Sequence, residues 1–215
     1  MKTKKLLIGG VCLGALTMIS PMAYSQSETP SGGDNSPGFG KGTNLLSIGL
    51  GLGGSYTYFG DGYTSTPNFV LTYDNGTFGN VGPGTISLGA LVAYKGISYD
   101  YTDFHSGYYY DQKWNYVILG FRSAYHFAIP TMHRFDPYVG VMLAYYDISY
   151  RETSSDPEFN VPGNPYYTYY VNNYSSYMAF SLYIGARYFV TNKIGLWLEL
   201  GYGYSDAAIG VSFKF

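Results

Sequence analysis

Six ionisable residues stand where a folded chain would have to enclose them: Arg122, His126, Asp136, Arg187, Glu199 and Lys214. Each shares a two-residue period with small neighbours such as Gly120, Gly185, Gly201 and Ser212. Side chains that alternate with the apolar set of a strand lie together on its other face. Charges gathered there are costly unless they meet partners. Counting back from Asn192-Lys193 puts Arg187 opposite Glu199, and counting from Pro130 puts His126 near Asp136. Two chemistries follow: a structural ion network, or a switchable gate for small ions. A second group, Asp100, Asp103, His105 and Asp111, falls in a Tyr-rich stretch. Carboxylates around an imidazole suit acid–base work or a metal. No nucleophile stands at a diagnostic spacing, so these residues read as solvated loop charges. No catalytic, metal-binding or cofactor-binding residue is assigned, and no cofactor is expected.

Tyrosine supplies a third group. Tyr108, Tyr109 and Tyr110 cluster in one expected loop, and Tyr166, Tyr167, Tyr169 and Tyr170 in another. Tyrosine gives large contact area at low entropy cost, so these seven are candidates for recognising an extracellular ligand or surface. The alternative, favoured here, is that both loops simply prolong the wall of the fold.

The elements that position these groups are strands. Read backwards from the end, Phe215, Phe213, Val211, Ile209 and Ala207 alternate with Lys214, Ser212, Gly210 and Ala208. The same pattern occurs in Leu46 to Gly53, Ile86 to Tyr94, Val139 to Tyr145, Met178 to Val190 and Leu196 to Gly203. Shorter runs around Phe69 to Tyr73 and Val117 to Phe127 complete about eight strands. An Asp74-Asn75-Gly76 sequence starts an expected turn that lasts to Pro83-Gly84. The stretches 97–112 and 149–175 read as the longest loops.

Composition agrees. Only 12% of the 215 residues are charged, 20% are aromatic, and there are 27 Tyr and 29 Gly. Mean hydropathy is −0.06, too polar for a bundle of membrane helices. Alternate-residue hydrophobicity reconciles these values. The net charge of −2 argues against a nucleic-acid partner. Lys2, Lys4 and Lys5, the apolar run from Leu6 to Ile19, and Ala23-Tyr24-Ser25 have the layout of a signal peptide cleaved after Ser25. The single cysteine, Cys12, lies inside it, so no disulfide is expected in the mature chain. Residues 26–42 read as a flexible lead-in, and 43–215 as the barrel.

An aromatic last residue with another two before it resembles the C-terminal signature of bacterial outer-membrane barrels. Asn44 to Phe215 resembles the small outer-membrane β-barrel proteins of Gram-negative bacteria, in the OmpA-like and OmpX-like size class. The Tyr-rich wall resembles barrels from Bacteroidota. This likeness implies an all-β fold, an eight-stranded antiparallel up-and-down transmembrane β-barrel. It implies an assembly signal at Val211, Phe213 and Phe215, read by the barrel-assembly machinery. The partners it implies are outer-membrane lipid and lipopolysaccharide. An OmpA-like anchoring role is not expected, because the barrel pattern runs to the last residue. The expected roles are a non-enzymatic structural or surface-interaction protein, a narrow porin-like channel, or an outer-membrane lipid-modifying or proteolytic enzyme, in that order.

Overall fold

The computed structural model describes residues 38–54, 62–157 and 176–215. The signal-peptide reading of 1–25, most of the lead-in, and Tyr166, Tyr167, Tyr169 and Tyr170 lie outside them. The strands are β1 (Asn44–Leu52), β2 (Tyr63–Ser65), β3 (Asn68–Val81), β4 (Gly84–Thr102), β5 (Tyr109–Phe127), β6 (Phe135–Ser154), β7 (Tyr177–Phe189), β8 (Ile194–Tyr202) and β9 (Ala207–Lys214).

Each long strand pairs antiparallel with its neighbours, and both β1–β9 and β4–β5 are paired. The ring β1-β3-β4-β5-β6-β7-β8-β9 therefore closes with eight members. The short β2 pairs with β4 just beyond β3, so the two are one wall strand broken at Thr66-Pro67. Pro67 has no N–H to offer the ladder. Thr66 repairs the gap: its Oγ1 accepts from the Gly96 N–H at 2.9 Å.

Alternation sorts the faces as the sequence implies. Along β8, Gly195, Trp197 and Glu199 are buried, while Ile194, Leu196, Leu198, Leu200 and Tyr202 are exposed. The lumen is packed. Tyr138 faces Gly185 across β6–β7, and Tyr183 faces Gly140. A Cβ on either glycine would sit 2.3 Å from the opposing Tyr ring. Each ring thus lies flat over a glycine, which leaves the barrel axis to longer side chains.

Three expectations change. Asp74-Asn75-Gly76 is not a turn; β3 runs on to Val81, with bulges on either side of Phe78. The reversal is the two-residue Gly82-Pro83, with Gly82 at φ +57. The stretch 97–112 is not a loop either. β4 and β5 stay paired to Thr102 and Tyr109, leaving a tip of 103–108, and β6 continues to Ser154. Finally, the described part of the lead-in, from Gly38, packs on the barrel: Phe39 is buried, and the Gly42 N–H donates to the Gly76 carbonyl at 2.7 Å.

A candidate functional site inside the barrel

Asp74 of β3 lies at the middle of the buried polar cluster. Its Oδ2 accepts from Arg187 Nη2 at 2.6 Å, and its Oδ1 lies 3.0 Å from Arg122 Nε. The second is a charge contact without hydrogen-bond alignment. Arg122 Nη2 donates to Glu199 Oε2 at 2.8 Å, and Arg187 Nη1 reaches Asp136 Oδ2 at 3.4 Å. Asp136 Oδ1 meets His126 Nδ1 at 2.8 Å. The hydroxyls of Tyr138 and Tyr204 donate to Glu199 at 3.1 and 2.6 Å. The guanidinium of Arg122 sits 4.3 Å over the Tyr183 ring, and that of Arg187 4.5 Å over Tyr138. Five strands and the β8–β9 turn thus meet across the lumen, and every charged member is nearly inaccessible.

Of the sequence candidates, five take part and one does not. Lys214 lies half-buried near one mouth, with its Nζ 4.9 Å over the Phe189 ring, and it makes no ion pair among the described residues. Arg187 does not pair with Glu199. Arg187 lies opposite Trp197, and Glu199 lies opposite Gly185. The Thr191 Oγ1 accepts from the Lys193 and Ile194 N–H groups at 3.2 and 3.0 Å. That centres the turn on Asn192 and moves the register by two. Asp74 was hidden by its turn-like neighbours. Tyr138 and Tyr183 were legible in principle, because Tyr138-Val139-Gly140 and Tyr183-Ile184-Gly185 are matching Tyr-x-Gly units.

The cluster contains a further arrangement. His126 Nε2 lies 3.0 Å from Ser87 Oγ, so Ser87, His126 and Asp136 stand in the order of a nucleophilic triad. Ser87, however, has no exposed surface, and Asp136 is shared with Arg187. The Phe39 ring stacks on the imidazole with centroids 3.8 Å apart. Among the described residues no group of three His, Cys, Asp or Glu is spaced to hold a metal.

No protein-family model matches the chain, and no curated protein matches its sequence. Solved outer-membrane barrels are similar to it in fold. The N-terminal β-barrel domain of Pseudomonas aeruginosa OprF is 14% identical, with 82% of this chain and 100% of that one covered and a TM-score of 0.41. Pseudomonas aeruginosa OprG is 12% identical over 83% and 98%, with a TM-score of 0.45. The attachment invasion locus protein Ail of Yersinia pestis, solved with the heparin analogue sucrose octasulfate, is 11% identical over 81% and 99%, with a TM-score of 0.44. These are distant likenesses, and the ring described above rests on its own hydrogen-bond ladder.

The remaining candidates lie at the two ends. Phe213 is exposed and Val211, partly buried, alternates onto the same face, and Phe215 exchanges backbone hydrogen bonds with Asn44 at 3.1 and 3.3 Å, extending the β1–β9 seam. At the opposite end Tyr108 is in the β4–β5 tip, and Tyr109 and Tyr110 belong to β5. Tyr110 stacks on Tyr101 and donates to Asp156 at 3.2 Å. In the tip, the His105 N–H and then the Ser106 hydroxyl hold the Asp103 carboxylate below its usual range. His105 and Asp103 thus fold the tip back on itself.

Proposed function

We propose that the chain is an integral barrel of the bacterial outer membrane, non-enzymatic, with a structural or surface-interaction role and a lumen filled by side chains. One observation carries this reading. Large apolar side chains are exposed on every wall strand, with Ile48, Phe121, Leu182 and Ile209 each more than half exposed. A soluble monomer does not present an apolar belt that encircles it. From Ile194 to Tyr202 the belt extends about 26 Å along the strand at ~3.3 Å per residue. A tilted transmembrane strand needs about 9–11 residues, and the 9 residues of β8 meet that requirement. Tyr73, Tyr94, Tyr125, Tyr145, Tyr188 and Tyr202 stand toward the ends of their runs, as interfacial girdle residues do.

In this reading the short connections at Gly82-Pro83 and 190–193, with the start of β1 and the end of β9, face the periplasm. The tall β4–β5–β6 wall faces outward, where Tyr108, Tyr109 and Tyr110 would meet lipopolysaccharide or a surface ligand. The deciding test is refolding of the mature chain. The expected result is a heat-modifiable β-sheet species in detergent or lipid vesicles and aggregation without either; a dissolved monomer in plain buffer refutes the reading.

A narrow ion channel is the second reading, favoured by Asp74 taking both arginines and so offering alternative pairings. Planar-bilayer recordings separate the two: a sealed lumen gives little conductance, and Glu199→Ala raises it only if the cluster is a gate. For the enzymatic reading, labelling by a fluorophosphonate that vanishes in Ser87→Ala would establish a working triad. We expect no labelling.

A further inference from the structure

We infer that Gly38–Gly42 is a built-in strap that stoppers the mouth of the barrel where β1 begins and β9 ends, with Phe39 as the stopper. The inference rests on the barrel geometry and not on the membrane reading. The strap belongs to the same compact unit as the barrel. Phe39 is only 5% exposed, although it precedes the first strand, in a stretch with almost no other apolar residue. Its ring covers His126 and joins Leu45 and Phe189 in a small apolar cluster.

The backbone is fixed as well. The Gly42 N–H donates to the Gly76 carbonyl, and the Gly76 N–H donates to the Thr43 carbonyl at 2.9 Å. The Gly40 N–H donates to Thr43 Oγ1 at 3.2 Å. A Cβ at position 76 would fall 2.1 Å from the Gly40 carbonyl oxygen, so the barrel wall is cut away where the strap crosses it. Gly76 therefore has a structural task that turn chemistry does not explain. On its other flank the strap borders a cleft of about 210 Å³, lined in part by Phe127, Ile129, Met132 and His133. One edge is thus bonded to the wall, while at the other Gly38 packs close to the His133 carbonyl beside the cleft.

The groups beneath the stopper are the ones with chemical capacity. His126 is bounded by Asp136 and Tyr138 of β6, Ser87 of β4 and the ring of Phe39. While the strap is seated, solvent and solutes reach neither imidazole nitrogen from this mouth. Withdrawal of Phe39 uncovers the imidazole face and, behind it, the Ser87–His126–Asp136 chain.

The test uses the folded full-length mature chain in detergent and the carbethoxylation rates of its three histidines, read by peptide mass spectrometry. His105 and His133 are exposed and serve as internal references. His126 is expected to react about tenfold more slowly than His133 or slower still, because it must wait for local opening. Phe39→Ala is expected to remove most of that protection, and Phe39→Tyr to keep it. β-Sheet circular dichroism with a cooperative unfolding transition confirms that each variant is folded. Should Phe39→Ala not fold, deletion of residues 26–42 leaves β1 whole and takes its place. Parent protein whose His126 reacts as fast as His133 overturns the inference, as does protection that survives loss of Phe39 in a folded barrel. Neither result bears on whether the barrel sits in a membrane.

Discussion

Replacing Arg122 by Met tests whether the lumen cluster is a set of mutually dependent charges. Arg122 is 1% exposed and contacts Asp74, Glu199 and the Tyr183 ring. Apart from His126, the cluster sets two guanidiniums against three carboxylates. Met fills much of the volume but leaves one guanidinium for three carboxylates. Breaking a buried pair from one side costs roughly 3–5 kcal/mol. We take about 4 kcal/mol as the expected loss for Arg122→Met, a large share of a normal folding free energy. Adding Glu199→Gln restores the balance to one guanidinium against two carboxylates. The double variant is therefore expected to regain roughly 1–3 kcal/mol, a coupling of the size found for residues in one network. The assay is denaturant unfolding from lipid vesicles, followed by the fluorescence of Trp114 and Trp197, both buried. A single variant within about 0.5 kcal/mol of the parent, the range of an ordinary surface change, refutes the reasoning. So does a double variant less stable than Arg122→Met alone.

Other perturbations test other parts. Leu143 faces out near mid-wall, so Leu143→Arg should cost about 2–4 kcal/mol in vesicles, and Tyr202→Arg near the rim about 0–1; equal costs by the same unfolding assay would contradict the proposed belt. Asp103 titrates below the usual carboxylate range, so its hold on the tip is complete above the unfolded value and is lost only as pH falls through the lower folded value. Amide shifts of His105 and Ser106 should therefore stay constant through mildly acidic pH and move in Asp103→Asn at every pH. Gly76→Val should displace the strap and lower stability by more than an ordinary surface change; unchanged unfolding would mean that the strap does not sit against the wall.

Much of this fold was legible because a strand with different surroundings on its two faces writes a two-residue period into the chain. Leu196 to Tyr202 and Ile209 to Phe215 needed no other information. The faces of Arg122, His126, Arg187 and Glu199 followed from the same period. Partners across the lumen did not, because periodicity fixes which way a side chain points and not what it meets. The Arg187–Glu199 expectation failed at the β7–β8 connection, where the Thr191 hydroxyl caps a turn centred on Asn192 and Arg187 comes to face Trp197. Asp74 was missed because Asp-Asn-Gly is turn chemistry in isolation, whereas pairing with Leu45 and Gly89 and two distant arginines hold it inside a strand. The seating of Phe39 left no periodic trace, since one aromatic among Gly, Ser and Pro has no pattern to join.

The β1–β9 seam has a consequence for how the molecule is made. It joins the first strand of the ring to the last, for example through Ser47 and Ser212, whose hydroxyls lie 2.7 Å apart. Until the final strand arrives, β1 and β8 each keep a raw edge of unsatisfied amides. Closure is thus the contact of greatest loop length, the kind that forms slowly. A copy truncated before Ala207 would keep seven of its walls and still be unable to finish the cylinder.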